Sequence, residues 1–362
     1  MTRRWSRYLR LALGLLAGGG LAVFAFVALV DPYDSLWFSP AAEREPISTN
    51  QRYSFPALAR SDRFDSAVFG TSTTRLLRPA QLDGLFGARF ANLSMNSATA
   101  YEQSELHALF LRHHPRPDIV VYGIDSIWCA VEDAYVPFTF RPFPPWLYDE
   151  DRWNDLLYLF NFKAIEAAGQ QFAFLTGIKD RRYGADGYTD FLPPQAEYDL
   201  ARARQNIYGP AGPPAPDAPL PTGPVPGADE IAGWTYATHA LMRAMLAAAP
   251  AETLKILVFV PYHASQFERT NPLQQARLAE CKRRLTAIAQ DVPNSVVLDF
   301  MIPSIITRDD ARYWDSLHYN VETAAEIAAA IARGAADRRS EDGLFVYLGG
   351  SPPPDGAALT DR

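Results

Sequence analysis

The longest apolar run lies at the start of the chain. Leu11 to Val30 reads LALGLLAGGGLAVFAFVALV, 20 residues without a charge. As a helix this run extends about 30 Å, the thickness of a bilayer's hydrocarbon core. Gly18, Gly19 and Gly20 weaken a water-soluble helix but are tolerated in a membrane span. Arg3, Arg4, Arg7 and Arg10 precede the run with no acid among them, and Trp5 and Tyr8 sit where the near interface would fall. The positive-inside rule therefore puts residues 1–10 in the cytoplasm and everything after Asp31 on the far side. A cleaved signal peptide is the competing reading, but its apolar region is about 7–15 residues and ends at a small-residue site. This run is longer and passes into Val30-Asp31-Pro32-Tyr33-Asp34. The pattern predicts an uncleaved, single-pass anchor over 11–30.

Residues 31–60, with Pro32, Pro40, Pro46 and Pro56, predict a partly extended stalk. From residue 61 the pattern becomes short β-branched and aromatic runs alternating with helical spacing. Ser66–Gly70, Arg89–Ser94, Asp118–Asp125, Lys255–Val260 and Ser295–Phe300 predict five strands. Ala100–His114, Gly233–Ala249, Asn271–Gln290 and Glu322–Arg333 predict helices between and after them. Alternation of this kind implies an α/β domain over 61–345, a five-stranded parallel sheet with helices on both faces. Ligands then bind beyond the carboxyl ends of the strands. The third and fourth strands are separated by an insertion at 130–228. It carries Trp146, Tyr148, Trp153, Tyr158 and Phe160, then a Pro/Gly-rich stretch from Tyr208 to Gly227. The aromatic part reads either as a lid or substrate platform or as a helical cap packed by its own rings. The proline stretch predicts an extended loop, and 346–362 a disordered tail.

Composition narrows the class. The chain has 362 residues, 48% hydrophobic and 21% charged, which excludes a largely disordered protein. Its net charge of −7 provides no basic footprint for nucleic acid. Setting the four N-terminal arginines aside leaves 30 basic against 41 acidic residues, so the exported part is more acidic still. Cys129 and Cys281 are the only cysteines, too few for a CxxC zinc site; whether they pair depends on their Cα atoms lying within about 7 Å. The histidines show no metal-ligand spacing.

The strand ends carry the candidate chemistry. Phe69-Gly70-Thr71-Ser72-Thr73-Thr74-Arg75 follows the first strand. A glycine and a hydroxyl residue there suit a tight turn that exposes a serine oxygen beside backbone N–H donors, and equally suit a helix N-cap. Tyr313-Trp314-Asp315-Ser316-Leu317-His318-Tyr319-Asn320 precedes the last helix. Asp315 and His318, three apart, are a base and its orienting carboxylate, or a cap with a structural histidine. His263 ends the fourth strand and reads as a substrate contact or a loop histidine. Arg75, one turn past Ser72, reads as an anion contact or a solvated helix-start arginine.

Together these blocks resemble the SGNH/GDSL hydrolase superfamily over roughly residues 62–335. Gly70-Thr71-Ser72 is similar to its first block, with Thr71 where plain hydrolases have Asp. Asn92-Leu93-Ser94-Met95-Asn96-Ser97-Ala98-Thr99 is similar to the second, Val121–Asp125 to the third, and Asp315-Ser316-Leu317-His318 to the last. The resemblance implies Ser72 as nucleophile, His318 as base and Asp315 as its orienting group. Oxyanion or substrate contacts would come from Ser72 N–H, Asn96, Ser97 and Asp125. Ser97 stands where the family usually has Gly, and Asp125 where it has Asn. With one N-terminal span, the pattern is similar to polysaccharide O-acetylation proteins such as those of alginate and teichoic-acid modification. That likeness implies serine-dependent acyl transfer to an envelope or exported polysaccharide at a bacterial inner membrane, with the domain periplasmic. It implies no cofactor and, as partner, a multi-span membrane protein that delivers the acyl group. A carbohydrate esterase and a catalytically silent glycan-binding subunit are the alternatives.

Overall fold

The computed structural model describes residues 2–39, 44, 50–180, 184–215 and 217–354. Its helices are α1 (Thr2–Val30), α2 (Gln51–Arg60), α3 (Pro79–Phe86), α4 (Ala100–His113), α5 (Asp155–Tyr158), α6 (Phe162–Leu175), α7 (Leu200–Tyr208), α8 (Ala228–Ala232), α9 (Thr238–Ala248), α10 (Pro272–Gln290) and α11 (Val321–Asp337). Its strands are β1 (Ser66–Phe69), β2 (Phe90–Asn92), β3 (Ile119–Ile124), β4 (Leu254–Phe259), β5 (Ser295–Asp299) and β6 (Val346–Ser351). The chain divides into two compact units. The first holds Met1–Ala57 and Pro142–Ala185, and the second Leu58–Arg141 and Asp186–Arg362.

The second unit is built on one six-stranded sheet of order β2-β1-β3-β4-β5-β6. The first five strands are parallel, in the registers Val68 to Val121, Val121 to Ile256 and Ile256 to Val296. These four side chains share an apolar cluster with Leu82 of α3 and Ile327 and Ile331 of α11. The next residue along β1, Phe69, points the other way, as strand geometry requires, and meets Phe110 of α4. Helices therefore cover parallel strands that are buried along their whole length, which explains why these strands read as near-continuous hydrophobic runs.

The sheet has six strands, not the five the sequence predicts. β6 pairs antiparallel with β5 at the edge, within the tail expected to be disordered. Val346-Tyr347-Leu348 is a β-forming triplet, and Leu344 and Phe345 before it are buried. The glycines that follow take extended backbone against β5 (Gly349 φ 145°, Gly350 φ 158°). Residues 355–362 lie outside the described residues.

The first unit departs from the expected stalk. Gln51–Arg60 is helical despite Pro56 in its interior. Proline leaves the carbonyl four residues earlier without its helical partner, and here the Tyr148 hydroxyl donates to that carbonyl, Arg52 O, at 3.0 Å. Among the described residues one helix is long and apolar enough to cross a membrane, Arg4–Val30, whose 18-residue apolar stretch has a mean hydropathy of 2.4. The aromatics of the insertion pack within this unit, partly on one another. Trp146 lies on Tyr33, Trp153 on Trp37, Phe160 on Phe24, and Trp146 stacks on Tyr158.

Cys129 and Cys281 form a disulfide with Cα atoms 5.3 Å apart, tying the turn after β3 to α10 across 152 residues. Closing so long a loop restricts the unfolded chain substantially. Replacing both cysteines by serine should lower unfolding free energy by about 2–5 kcal/mol in chemical denaturation; a smaller change would mean that the loop's own packing already supplies the constraint.

Candidate active site

Ser72 opens a 3-10 turn, Ser72–Thr74, directly after β1. Two glycines make room for this turn. A Cβ on Gly70 would collide with Thr74 Oγ1, and one on Gly123 of β3 with Thr74 Cγ2. The Thr74 side chain thus fills the gap between the two strand ends, where its hydroxyl bonds Ser94 Oγ at 2.8 Å. Asn92, fully buried at the end of β2, donates to the carbonyls of Thr74, Arg75 and Leu77 and accepts from Ser94 N–H. The serine turn is held from beneath by groups that need no substrate.

The second turn follows β5, with β3 and β4 lying between that strand and β1 in the sheet. Tyr313 and Tyr319 pair as an antiparallel bridge, and Trp314 N–H donates to His318 O at 2.9 Å. Within this hairpin Asp315 Oδ1 accepts from the N–H groups of Leu317 (2.8 Å) and His318 (2.9 Å). His318 Nδ1 lies 2.8 Å from Asp315 Oδ2, and its Nε2 lies 2.8 Å from Ser72 Oγ. Burial pushes the Asp315 carboxyl up, but hydrogen bonds from the His318 ring and backbone outweigh it and hold the group below its ordinary value. An ionised carboxylate only accepts. The ring proton therefore belongs on Nδ1, and the Nε2 lone pair faces the serine hydroxyl. Ser72, His318 and Asp315 are the sequence-predicted residues that the structure brings together.

Tyr319, next to the histidine, hydrogen-bonds Thr73 O in the serine turn, so one residue ties the two turns directly. The histidine hairpin is further held by Asp310. That carboxylate accepts from Tyr208 Oη and Arg204 Nε, both at 2.7 Å, and from His263 Nε2 at 3.1 Å. Burial pushes the His263 ring down, against the pull of Asp310. Its Nδ1 accepts from Ser265 N–H, and its own N–H donates to Ser316 O at 3.0 Å. His263 is a buried strut of the hairpin and not a substrate contact.

Three further predicted residues take internal roles. Arg75 is buried, its guanidinium 5.1 Å above the Phe191 ring and donating to Asn96 Oδ1 at 3.0 Å. It is neither a solvated cation nor an anion site open to solvent. Phe191 in turn meets the His318 ring edge-on, with centroids 5.5 Å apart. Asn96 is engaged by Arg75 on the rim of the site. Asp125 is buried, one oxygen hydrogen-bonded to Thr71 Oγ1 and the other accepting from Ile127 N–H at 3.2 Å. Burial lifts its carboxyl to about 6, against the hydrogen bonds from Thr71 and Ile127. Ser97 is exposed with φ 52°, in the left-handed region that favours glycine. Beside it a cavity of about 210 Å³ is lined mainly by small and apolar side chains, including Ala98, Ile127, Ala134, Tyr135 and Val136.

The remaining residues of the site left no local signal. Asp310, Tyr208 and Arg204 meet across about a hundred positions, and Tyr208 lies where the sequence suggests the start of a loop. Tyr319 and Asn92 were within motifs, but nothing marks them as clamps. No protein-family model matches the chain, and no curated protein matches it.

Replacing Gly123 by Ala should cost about 1–3 kcal/mol of stability through overpacking against Thr74, read by chemical denaturation, and restoring space with Thr74→Ser should recover part of it. A second expectation concerns pH. Because the folded-state value of Asp125 lies above its unfolded one, its contribution is fully present below about pH 4 and is lost as pH rises through about 6. Asp125→Asn should remove that slope and gain up to about 3 kcal/mol relative to the parent at pH 8, measured as denaturation midpoints across pH 4–8; parallel curves for the two proteins would refute it.

Proposed function

We propose that this protein is a membrane-anchored serine acyltransferase of the SGNH type, acting on an exported or envelope polysaccharide outside the cytoplasm. The observation that carries the reading is the hydrogen-bonded line from Ser72 through His318 to Asp315. A serine hydroxyl is a weak nucleophile until a base takes its proton, and a carboxylate on the far ring nitrogen fixes the tautomer and stabilises the imidazolium. Ser72 Oγ attacks the ester carbonyl of the donor while His318 Nε2 takes the proton. The same nitrogen returns it to the departing alcohol, leaving an acyl-Ser72. His318 then deprotonates a sugar hydroxyl, which attacks the acyl group and frees the serine. Water in place of the sugar makes the same site an esterase.

The tetrahedral oxyanion needs donors placed around it. The Ser72 amide is one, since the first N–H groups of a helical turn have no partner within it. The Ser97 amide is the second. Its left-handed backbone is what a glycine would adopt there, so the departure from the family's residue leaves the local conformation intact. The other two departures are linked. Thr71 stands for the family's Asp and Asp125 for its Asn, and the two side chains hydrogen-bond each other. The carboxylate has moved across the pair, and the pair serves to join the β1 and β3 turns rather than to donate to an oxyanion. The cavity beside Ser97 suits the acyl group; an engineered apolar cavity of about 150 Å³ already accepts a benzene ring.

Two observations support the location. The Arg-flanked apolar helix fits a single-pass anchor with the basic end inside. A disulfide fits an oxidising compartment, independently of the helix. The buried, proton-affine Asp125 is the feature that favours a silent glycan-binding subunit instead.

Wild-type protein should react with a fluorophosphonate probe and cleave an aryl acetate. Ser72→Ala and His318→Ala should each lose about a thousandfold or more, with the double variant no worse than either single one. Absence of both labelling and ester cleavage in the folded wild type would leave the silent subunit. Adding acceptor oligosaccharide and resolving acylated sugar from free acid separates transferase from esterase.

A further inference from the structure

The first unit exposes more large apolar side chain than an aqueous surface ordinarily carries. Leu157 is 79% exposed, Phe162 90% and Ile178 75%, with Trp153, Phe160 and Phe172 beside them. These residues belong to one segment, and its contacts with the N-terminal helix report its depth. Arg152 donates to the carbonyls of Ser35 (2.6 Å) and Leu36 (3.0 Å), just past the end of α1. Next to it the Trp153 ring lies 5.2 Å from that of Trp37. Seven residues on, Phe160 meets Phe24 at 5.9 Å, and Phe172 of α6 meets Phe26 at 5.6 Å. Phe24 and Phe26 precede the end of α1 at Val30 by six and four residues, roughly 9 and 6 Å along the axis.

Phe160 and Phe172 are twelve residues apart, yet their partners on α1 are only two apart. The segment therefore crosses α1 at nearly one depth instead of running along it. α6 turns the fully buried Ala164 and Ala168 inward and leaves Phe162, Phe172 and Leu175 outside, with the exposed charges of Lys163 and Glu166 interspersed. A helix of this composition, held in plane some ångströms below the end of a span, has the features of an interfacial helix. Two tryptophans at the level where the span emerges fit the aromatic belt.

We infer that residues 153–178 form a second membrane element, lying in the plane of the leaflet into which α1 emerges, with lipid acyl chains covering Leu157, Phe162 and Ile178. The inference rests on α1 being a membrane span. Continuity of the exposed rings with α1, and their shared depth, favour lipid over an apolar helix of another protein.

The full-length protein, whose two native cysteines are paired, would be labelled with an environment-sensitive nitrobenzoxadiazole dye at Phe162→Cys, Ile178→Cys, Leu16→Cys or Arg339→Cys. Each is exposed, so no core contact is lost. In vesicles of phosphatidylcholine and phosphatidylglycerol carrying doxyl-labelled lipid, the labels at 162 and 178 should be quenched at least about twofold more than the label at 339. If 162 and 178 match 339 while 16 is quenched, the inference is overturned and the span stands. Protection of 162 and 178 in native membranes but not in these vesicles overturns it in favour of a protein partner. An aqueous label at 16 removes the span and the inference with it.

Discussion

Everything in the second unit answers to one constraint. A 2.8 Å hydrogen bond must be held between Ser72 and His318, 246 residues apart in the chain. Their turns follow β1 and β5, which are not neighbours; β3 and β4 lie between them. The histidine hairpin must reach back across two strands, and an unsupported loop of that length would not hold hydrogen-bond geometry. The Asp310 carboxylate supplies the support by gathering α7, the turn after β4 and the hairpin onto one pair of oxygens. Tyr319 then closes the gap to the serine turn directly.

The polar groups around the site are therefore mostly structural. Asn92, Asp310, His263, Asp125 and Thr71 are all engaged with other protein groups, and buried polar side chains are stable only when so engaged. His107 and His239 follow the same rule deeper in the unit. His107 bonds Tyr122 Oη and His239 bonds Trp128 O, and burial pushes them down to about 3 and about 4. His263 and His318 each set one ring nitrogen on a carboxylate and the other near a serine hydroxyl, and of the two it is His318 that reaches Ser72 in the turn after β1.

How legible was this in the sequence? The core strands were, because strands covered on both faces are continuous β-branched runs, and the observed β1, β3, β4 and β5 fall within a residue of the predicted bounds. The Ser72, Asp315 and His318 turns were legible because each sits at a strand end or helix start with little sequence between its parts. β6 was missed because its signal is three residues beside glycines, and an edge strand needs its neighbour more than its own propensity. α2 was missed because Pro56 reads as a breaker, and the group that repairs the helix, Tyr148, lies 96 residues away. The sequence left His263 and Arg75 open between two readings for a related reason. A strand end marks the ligand side of a sheet, but only the tertiary partners, Asp310 and Phe191, decide which way the side chain is spent.

The disulfide changes what breakage of the backbone would mean. Cys129 lies on the Ser72 side of the long excursion between β3 and β4, and Cys281 on the His318 side. The Pro/Gly-rich stretch from Tyr208 to Gly227 falls between the two cysteines. A protease cutting there would produce two polypeptides, one carrying Ser72 and the other carrying His318. They would still be one molecule, joined covalently beside the strand ends that position both.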